Sequence, residues 1–121
     1  MNKKNDTFYC PTEYALHLLA GKWKPAIMWL LDAGPRKFSE LEELLFDIPK
    51  QSLVDRLREL EQDGLVERFE YSKRPSRFQY KLTEAGTELW HLGSQLCQWA
   101  ERRTPGTQYP SALVKSKFGL R

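Results

Sequence analysis

Two stretches of this sequence carry side chains with chemistry to offer. In the first, Cys10-Pro11-Thr12-Glu13, a thiol stands directly before a proline at the start of a helical pattern. Proline suits a first helical position, because the N–H it lacks would have no partner there. Cys10 then falls at or beside the N-cap, close to unpaired N–H groups and the positive end of the helix dipole. Such a place favours the thiolate, the form that reacts with oxidants and electrophiles. Glu13, one turn in, opposes it. A small residue that only packs would suit the position equally well, and both readings stay open. The other cysteine, Cys97, lies beside Leu96 and Trp99 on a helical apolar face, where packing is the ordinary role.

The second stretch begins at Lys50-Gln51-Ser52, which leads a helical pattern. Glutamine can bond an adenine edge, lysine a guanine edge or a phosphate, and serine either. Asp55 and Arg58 follow on the expected exposed side, and Arg56 can bond a phosphate or pair with a nearby carboxylate. Further on, Arg68 to Lys81 holds Arg68, Lys73, Arg74, Arg77 and Lys81 against Glu70 alone. A local basic patch on a chain of net charge +3 is the footprint of a nucleic-acid binder. Lys73, Arg74 and Arg77 suit phosphates, or a minor groove in the case of one arginine.

Other chemistries find little support. Gly21-Lys22-Trp23 lacks the leading glycine and following hydroxyl of a phosphate loop. His17 and His91 have no partners at metal-ligand spacing, so neither a metal nor a cofactor is expected. The acidic run Glu40, Glu42, Glu43 and Asp47 reads as a solvated helix face. No nucleophile–base pairing is visible, so no enzyme is expected.

The elements that must position these residues follow from periodicity. A helix opens at Cys10-Pro11 and ends at Gly21, and a second starts at Pro25 with the all-round apolar run Ala26 to Leu31. Gly34-Pro35 stops it. Ser39-Glu40-Leu41-Glu42 matches a capping box, which makes Ser39 the cap of a third helix to about Phe46. After the turn at Ile48-Pro49, a fourth helix covers about Lys50 to Asp63, with Leu53, Leu57 and Leu60 inward. Leu65 to Tyr71 and Phe78 to Leu82 read as paired strands around a polar tip, Ser72 to Arg77. Thr83 is the expected N-cap of a last helix to about Arg103. On it Leu89, Leu92, Leu96 and Trp99 fall at coiled-coil-like spacing, a candidate dimer seam.

This order predicts a mainly α fold with a small β-hairpin wing, a winged helix-turn-helix. The second helix of the pair would enter the major groove, with the wing on the flanking backbone. The division expected is a flexible arm over 1–9, the winged domain with dimerisation helices over 10–103, and a loosely attached tail over 104–121. Apolar residues at 40% and charged residues at 29% suit a soluble globular chain. The longest apolar run is far short of the roughly 20 residues that span a bilayer, so no membrane association is expected. The polar start, Met1 to Thr7, has no secretory signal pattern, and two cysteines suggest no disulfide framework. A reducing cytoplasm is therefore expected.

"CPTEYALHLLAGKWKPAIMWLL", "RKFSELEELL", "QSLVDRLRELEQDGLVER" and "RFQYKLTEAGTEL" resemble, in order and spacing, successive blocks of the HxlR family of bacterial winged-helix regulators. The resemblance covers about Cys10 to Arg103. It implies a homodimer on double-stranded DNA that represses or activates nearby genes, with the first and last helices forming the dimer interface. It also implies a sensing role for the cysteine at position 10, since some members respond to oxidants or electrophiles there. The chain departs from the family at Pro49-Lys50, where relatives often carry a Gly-Ile-Ser type of sequence. The sequence names no operator and no small-molecule effector. The alternative function is a winged-helix module that binds proteins and not DNA, against which the basic wing and the Lys50-Gln51-Ser52 start both speak.

Overall fold

The computed structural model describes residues 8–107; the arm before Phe8 and the tail beyond Thr107 lie outside them. Helix α1 spans Pro11–Leu19, with Cys10 as its N-cap and Pro11 as its first residue. A tight turn through Gly21 and Trp23 leads into α2, Lys24–Asp32. Trp23 takes a left-handed backbone, φ +83°, which is uncommon for a residue with a side chain. The helix therefore starts one residue before Pro25. Ile27, Met28, Leu30 and Leu31 of α2 are buried, and this helix packs against the fourth helix, the second strand and the last helix.

Beyond Gly34 the chain is extended, and Arg36 exchanges both backbone hydrogen bonds with Tyr80, at 3.0 and 2.8 Å. This single-residue bridge adds a third rung to the wing. One residue has no periodicity, so nothing in the sequence announced it. The bridge also corrects the predicted cap. Helix α3 is Phe38–Leu44, its N-cap is Lys37, and Glu40 reaches back to accept from the Lys37 N–H at 2.8 Å. Ser39 is an exposed residue inside the first turn and caps nothing. The physical reason is phase. The Arg36 bridge ends the extended segment at Lys37, and Phe38, Leu41 and Leu44 must face the core.

The turn to α4 (Lys50–Gln62) runs through Asp47, at φ +60°, and Pro49, whose carbonyl accepts from the Leu53 N–H. Leu53, Leu57 and Leu60 are the buried face of α4, as their spacing predicts. Strands β1 (Val66–Lys73) and β2 (Ser76–Leu82) pair antiparallel from Val66↔Leu82 to Lys73↔Ser76, with an irregularity at Tyr71. The hairpin is longer than the sequence suggested. Most of the polar tip is strand, and only Arg74-Pro75 makes the turn.

Helix α5 covers Glu84–Arg103, and Thr83 caps it as expected. The Thr83 hydroxyl accepts from the Gly86 N–H at 3.0 Å and donates to the Gly64 carbonyl at 2.6 Å. Gly86, Trp90 and Gly93 are the buried side of α5, and Gly86 lies against the Leu65 carbonyl with no room for a methyl group. Of the predicted seam, Leu89 is half-buried, whereas Leu92, Leu96 and Trp99 are exposed. No helix among the described residues is long and apolar enough to cross a membrane.

Candidate nucleic-acid interface and thiols

Helical spacing puts Gln51, Asp55, Arg58 and Gln62 on the side of α4 away from Leu53, Leu57 and Leu60. Lys50 and Gln51 are exposed at its start, and Ser52 is half-buried. The Gln51 amide donates from Nε2 to Asp55 Oδ1 at 2.9 Å, so the two side chains present one joined polar surface. Arg56 is not brought to this surface. Its Nη2 lies 2.8 Å from Glu59 Oε2, while Glu59 Oε1 lies 3.1 Å from Lys24 Nζ on α2. Of the two roles the sequence offered Arg56, the structure shows the carboxylate pair.

The basic residues of the wing fall into two groups that sequence alone did not separate. Arg68 and Lys81 are engaged on the body of the hairpin. The Arg68 guanidinium lies 4.5 Å over the Phe78 ring and near enough to the Tyr80 hydroxyl to act on it. Burial, joined by the Glu61 carboxylate, pushes the Tyr80 hydroxyl above its ordinary pKa range, with Arg68 working against both. It stays protonated at neutral pH. Lys81 pairs with Glu67 at 3.2 Å and lies 5.1 Å from the Phe69 ring. Lys73, Arg74 and Arg77 stand exposed at the tip, and among the described residues none of them has an ion-pair partner. The tip is tied by Ser72 Oγ donating to the Pro75 carbonyl at 2.9 Å and by a Ser76–Glu70 hydrogen bond. Three cations on a braced tip suit a polyanion's backbone.

Neither cysteine forms a disulfide, and both are exposed. Cys10 has extended backbone, φ −152° and ψ 161°, and its side chain makes no cap hydrogen bond. With Phe8, Tyr9, Pro11 and Tyr14 it lines a hollow of about 350 Å³. The Phe8 ring lies 5.5 Å from Tyr14 and 5.2 Å from His17, which braces that wall. Cys97, expected in the core, instead lines an apolar groove of about 570 Å³ between α1, α2 and α5, with Leu16, Trp29, Trp90 and Leu96. The sequence missed this groove because its α5 wall includes Gly93 beside Trp90, and glycine leaves no trace in an apolar pattern. Among the described residues no cluster of histidine, cysteine or carboxylate side chains fits a metal ion.

Comparison with known proteins meets this geometry. Residues 18–108 match the HxlR-like helix-turn-helix family. The chain is 38% identical over 92 residues to YkvN of Bacillus subtilis, named as an uncharacterized HTH-type transcriptional regulator, which covers 76% of this chain and 78% of that protein. Among solved structures, the reduced form of the redox regulator HypR superposes with a TM-score of 0.72 at 34% identity, covering 77% of this chain and 92% of that one. The reduced form of the transcriptional regulator YodB from B. subtilis gives 0.72 at 34% identity, covering 84% and 100%. HypR is also known in an oxidized form and YodB after diamide treatment. These are regulators and not enzymes, and with most of its length matched, the chain belongs to the HxlR-like helix-turn-helix family of transcription regulators.

Proposed function

We propose that the protein binds a two-fold symmetric operator as a homodimer and that modification of Cys10 alters this binding. The observation that carries the proposal is the exposed apolar side of α5. Leu92, Leu96 and Trp99 are each more than half exposed in the single chain. Covering them removes apolar surface from water at roughly 25 cal/mol per Å², and a second copy is the partner always present. Association there gives two α4 helices and two wings related by two-fold symmetry. Gln51, Asp55, Arg58, Lys50 and Ser52 then face the bases of each half-site, and Lys73, Arg74 and Arg77 the flanking phosphates.

The thiol part rests on the exposure of Cys10 at the mouth of α1 and on two relatives, a redox regulator and a regulator solved after diamide treatment. Joining Cys10 to Cys97 of the partner subunit forms one S–S bond. Two thiols lose two protons and two electrons, which diamide accepts as its N=N bond becomes a hydrazine. Such a tether changes the spacing of the two α4 helices, and each base left unread on one half-site costs about 1–3 kcal/mol.

The experiment selects bound duplexes from a random-sequence pool with purified protein, then measures binding with and without diamide for wild type, Cys10→Ser and Cys97→Ser. A palindrome released by diamide from wild type but not from Cys10→Ser is the expected result. Recovery of no preferred sequence refutes operator recognition. A Cys10→Ser protein that responds as wild type does refutes the sensing role alone.

A further inference from the structure

Three features uncommon in a domain interior meet at one point beside α4. Lys24 is buried, with 8% of its surface exposed, and charged residues are buried only at a cost that pairing must offset. It is also the first residue of α2, where the helix dipole disfavours a cation. The Arg56 Nε, on the facing side, is buried with no hydrogen-bond partner among the described residues. Glu59 alone joins them, one oxygen to each cation, at 3.1 Å to Lys24 and 2.8 Å to Arg56. Two cations and one carboxylate leave a net positive cluster at the α2–α4 seam. With Glu59 and Arg56 still partly exposed, these ion pairs add little stability; what they supply is direction.

Direction is what the rest of this seam lacks. Leu53, Leu57 and Leu60 hold α4 against the core through apolar packing, whose driving force is non-directional. Reading base edges demands placement within about 0.5 Å and 10–20°. On a helix of roughly 5–6 Å outer radius, a 20° roll moves a side chain by about 2 Å, beyond what a hydrogen bond tolerates. Glu59 lies one turn beyond Asp55 and two beyond Gln51, so its anchorage is transmitted along one rigid helix to the residues that face the groove.

We propose that Glu59 is a positioning residue for DNA recognition: steadied by Arg56 on its own helix, it pairs with Lys24 on α2 and so fixes the roll of α4 that base reading requires. The proposal rests on the operator-binding reading above, and it assigns Arg56 to the inside of the domain and not to a phosphate.

The test uses the full-length protein and two probes, the duplex selected by wild type from the random pool and a scrambled duplex of equal length. Selection by wild type tests the DNA reading; the variants test the clamp. Glu59→Gln keeps the shape of the side chain but not its charge. It is expected to weaken binding to the selected duplex about tenfold or more, the scale of one bidentate bond to a base, while binding to the scrambled duplex changes less than about twofold. The exchange Lys24→Glu with Glu59→Lys puts the carboxylate on α2 between two cations on α4, and is expected to regain most of the discrimination. A merely structural bridge would lower both affinities together as the folded fraction falls. Equal losses on both duplexes, or none on either, overturn the proposal, as does an exchange variant that fails to recover discrimination. Should Glu59→Gln not fold, the exchange variant decides by the same ratio.

Discussion

One amide hydrogen of Gln51 is already held by Asp55, at 2.9 Å. That bond orients the amide, so Gln51→Ala is expected to cost about 1–3 kcal/mol on the selected duplex and to leave scrambled DNA unaffected, as read in parallel titrations. The wing tip should behave in the opposite way. Arg74→Ala or Arg77→Ala is expected to weaken binding to both duplexes alike and to flatten the salt dependence by about one charge. A loss confined to the selected duplex would mean that the arginine reads bases. The types of these residues are plain in the sequence, whereas their engagements are not. Arg68 and Arg74 look alike in the sequence, yet one lies over Phe78 and the other stands at the turn. Arg56 and Arg58 are two residues apart; Glu59, three residues on from Arg56 on the same helix, pairs with Arg56, and the packing of α2 on α4 brings Lys24 to the same carboxylate.

Among the elements, the start of α5 gives the sharpest test. Helix propensity alone says that Gly86→Ala should stabilise by roughly 1 kcal/mol. The added methyl would overlap the Leu65 carbonyl, which is backbone and cannot swing aside. Overpacking of this kind costs about 1–3 kcal/mol, so a net loss of stability is expected in urea unfolding. Thr83→Ala removes a cap and the bond to Gly64 and should cost about 1 kcal/mol or somewhat more. Element order, the inward leucines of α4 and the Thr83 cap are all legible in the sequence, because each is a local rule satisfied by its own neighbours. The pattern at Ser39 misleads because a glutamate three residues on fits two frames, one from Lys37 and one from Ser39. The frame that wins is set by a backbone bridge to Tyr80, more than forty residues away in the chain. The longer hairpin follows the same logic: Ser72 and Arg77 look like loop residues until they are seen paired.

For the molecule as a whole, the question is what covers α5. Trp99→Glu is expected to give a monomer in light scattering at micromolar concentration with an unchanged far-ultraviolet spectrum, and to abolish tight operator binding. In the wild type the half-sites should lie about one helical turn, roughly 34–36 Å, apart. The spacing of Leu89, Leu92, Leu96 and Trp99 marks this face in the sequence; which of them the chain covers by itself requires the fold, since Leu89 turns inward and the others do not. The same arrangement gives the protein a built-in optical reporter. Of its four tryptophans, Trp90 is buried, Trp23 and Trp29 are half-buried, and Trp99 alone is mostly in water, 57% exposed, with the Arg103 guanidinium 5.8 Å from its ring. Its indole is therefore expected to emit at the red edge of the fluorescence spectrum in the single chain. Dilution through the association range should move the emission to longer wavelength, concentration should move it back, and Trp99→Phe should silence the change, so that assembly can be followed without a label.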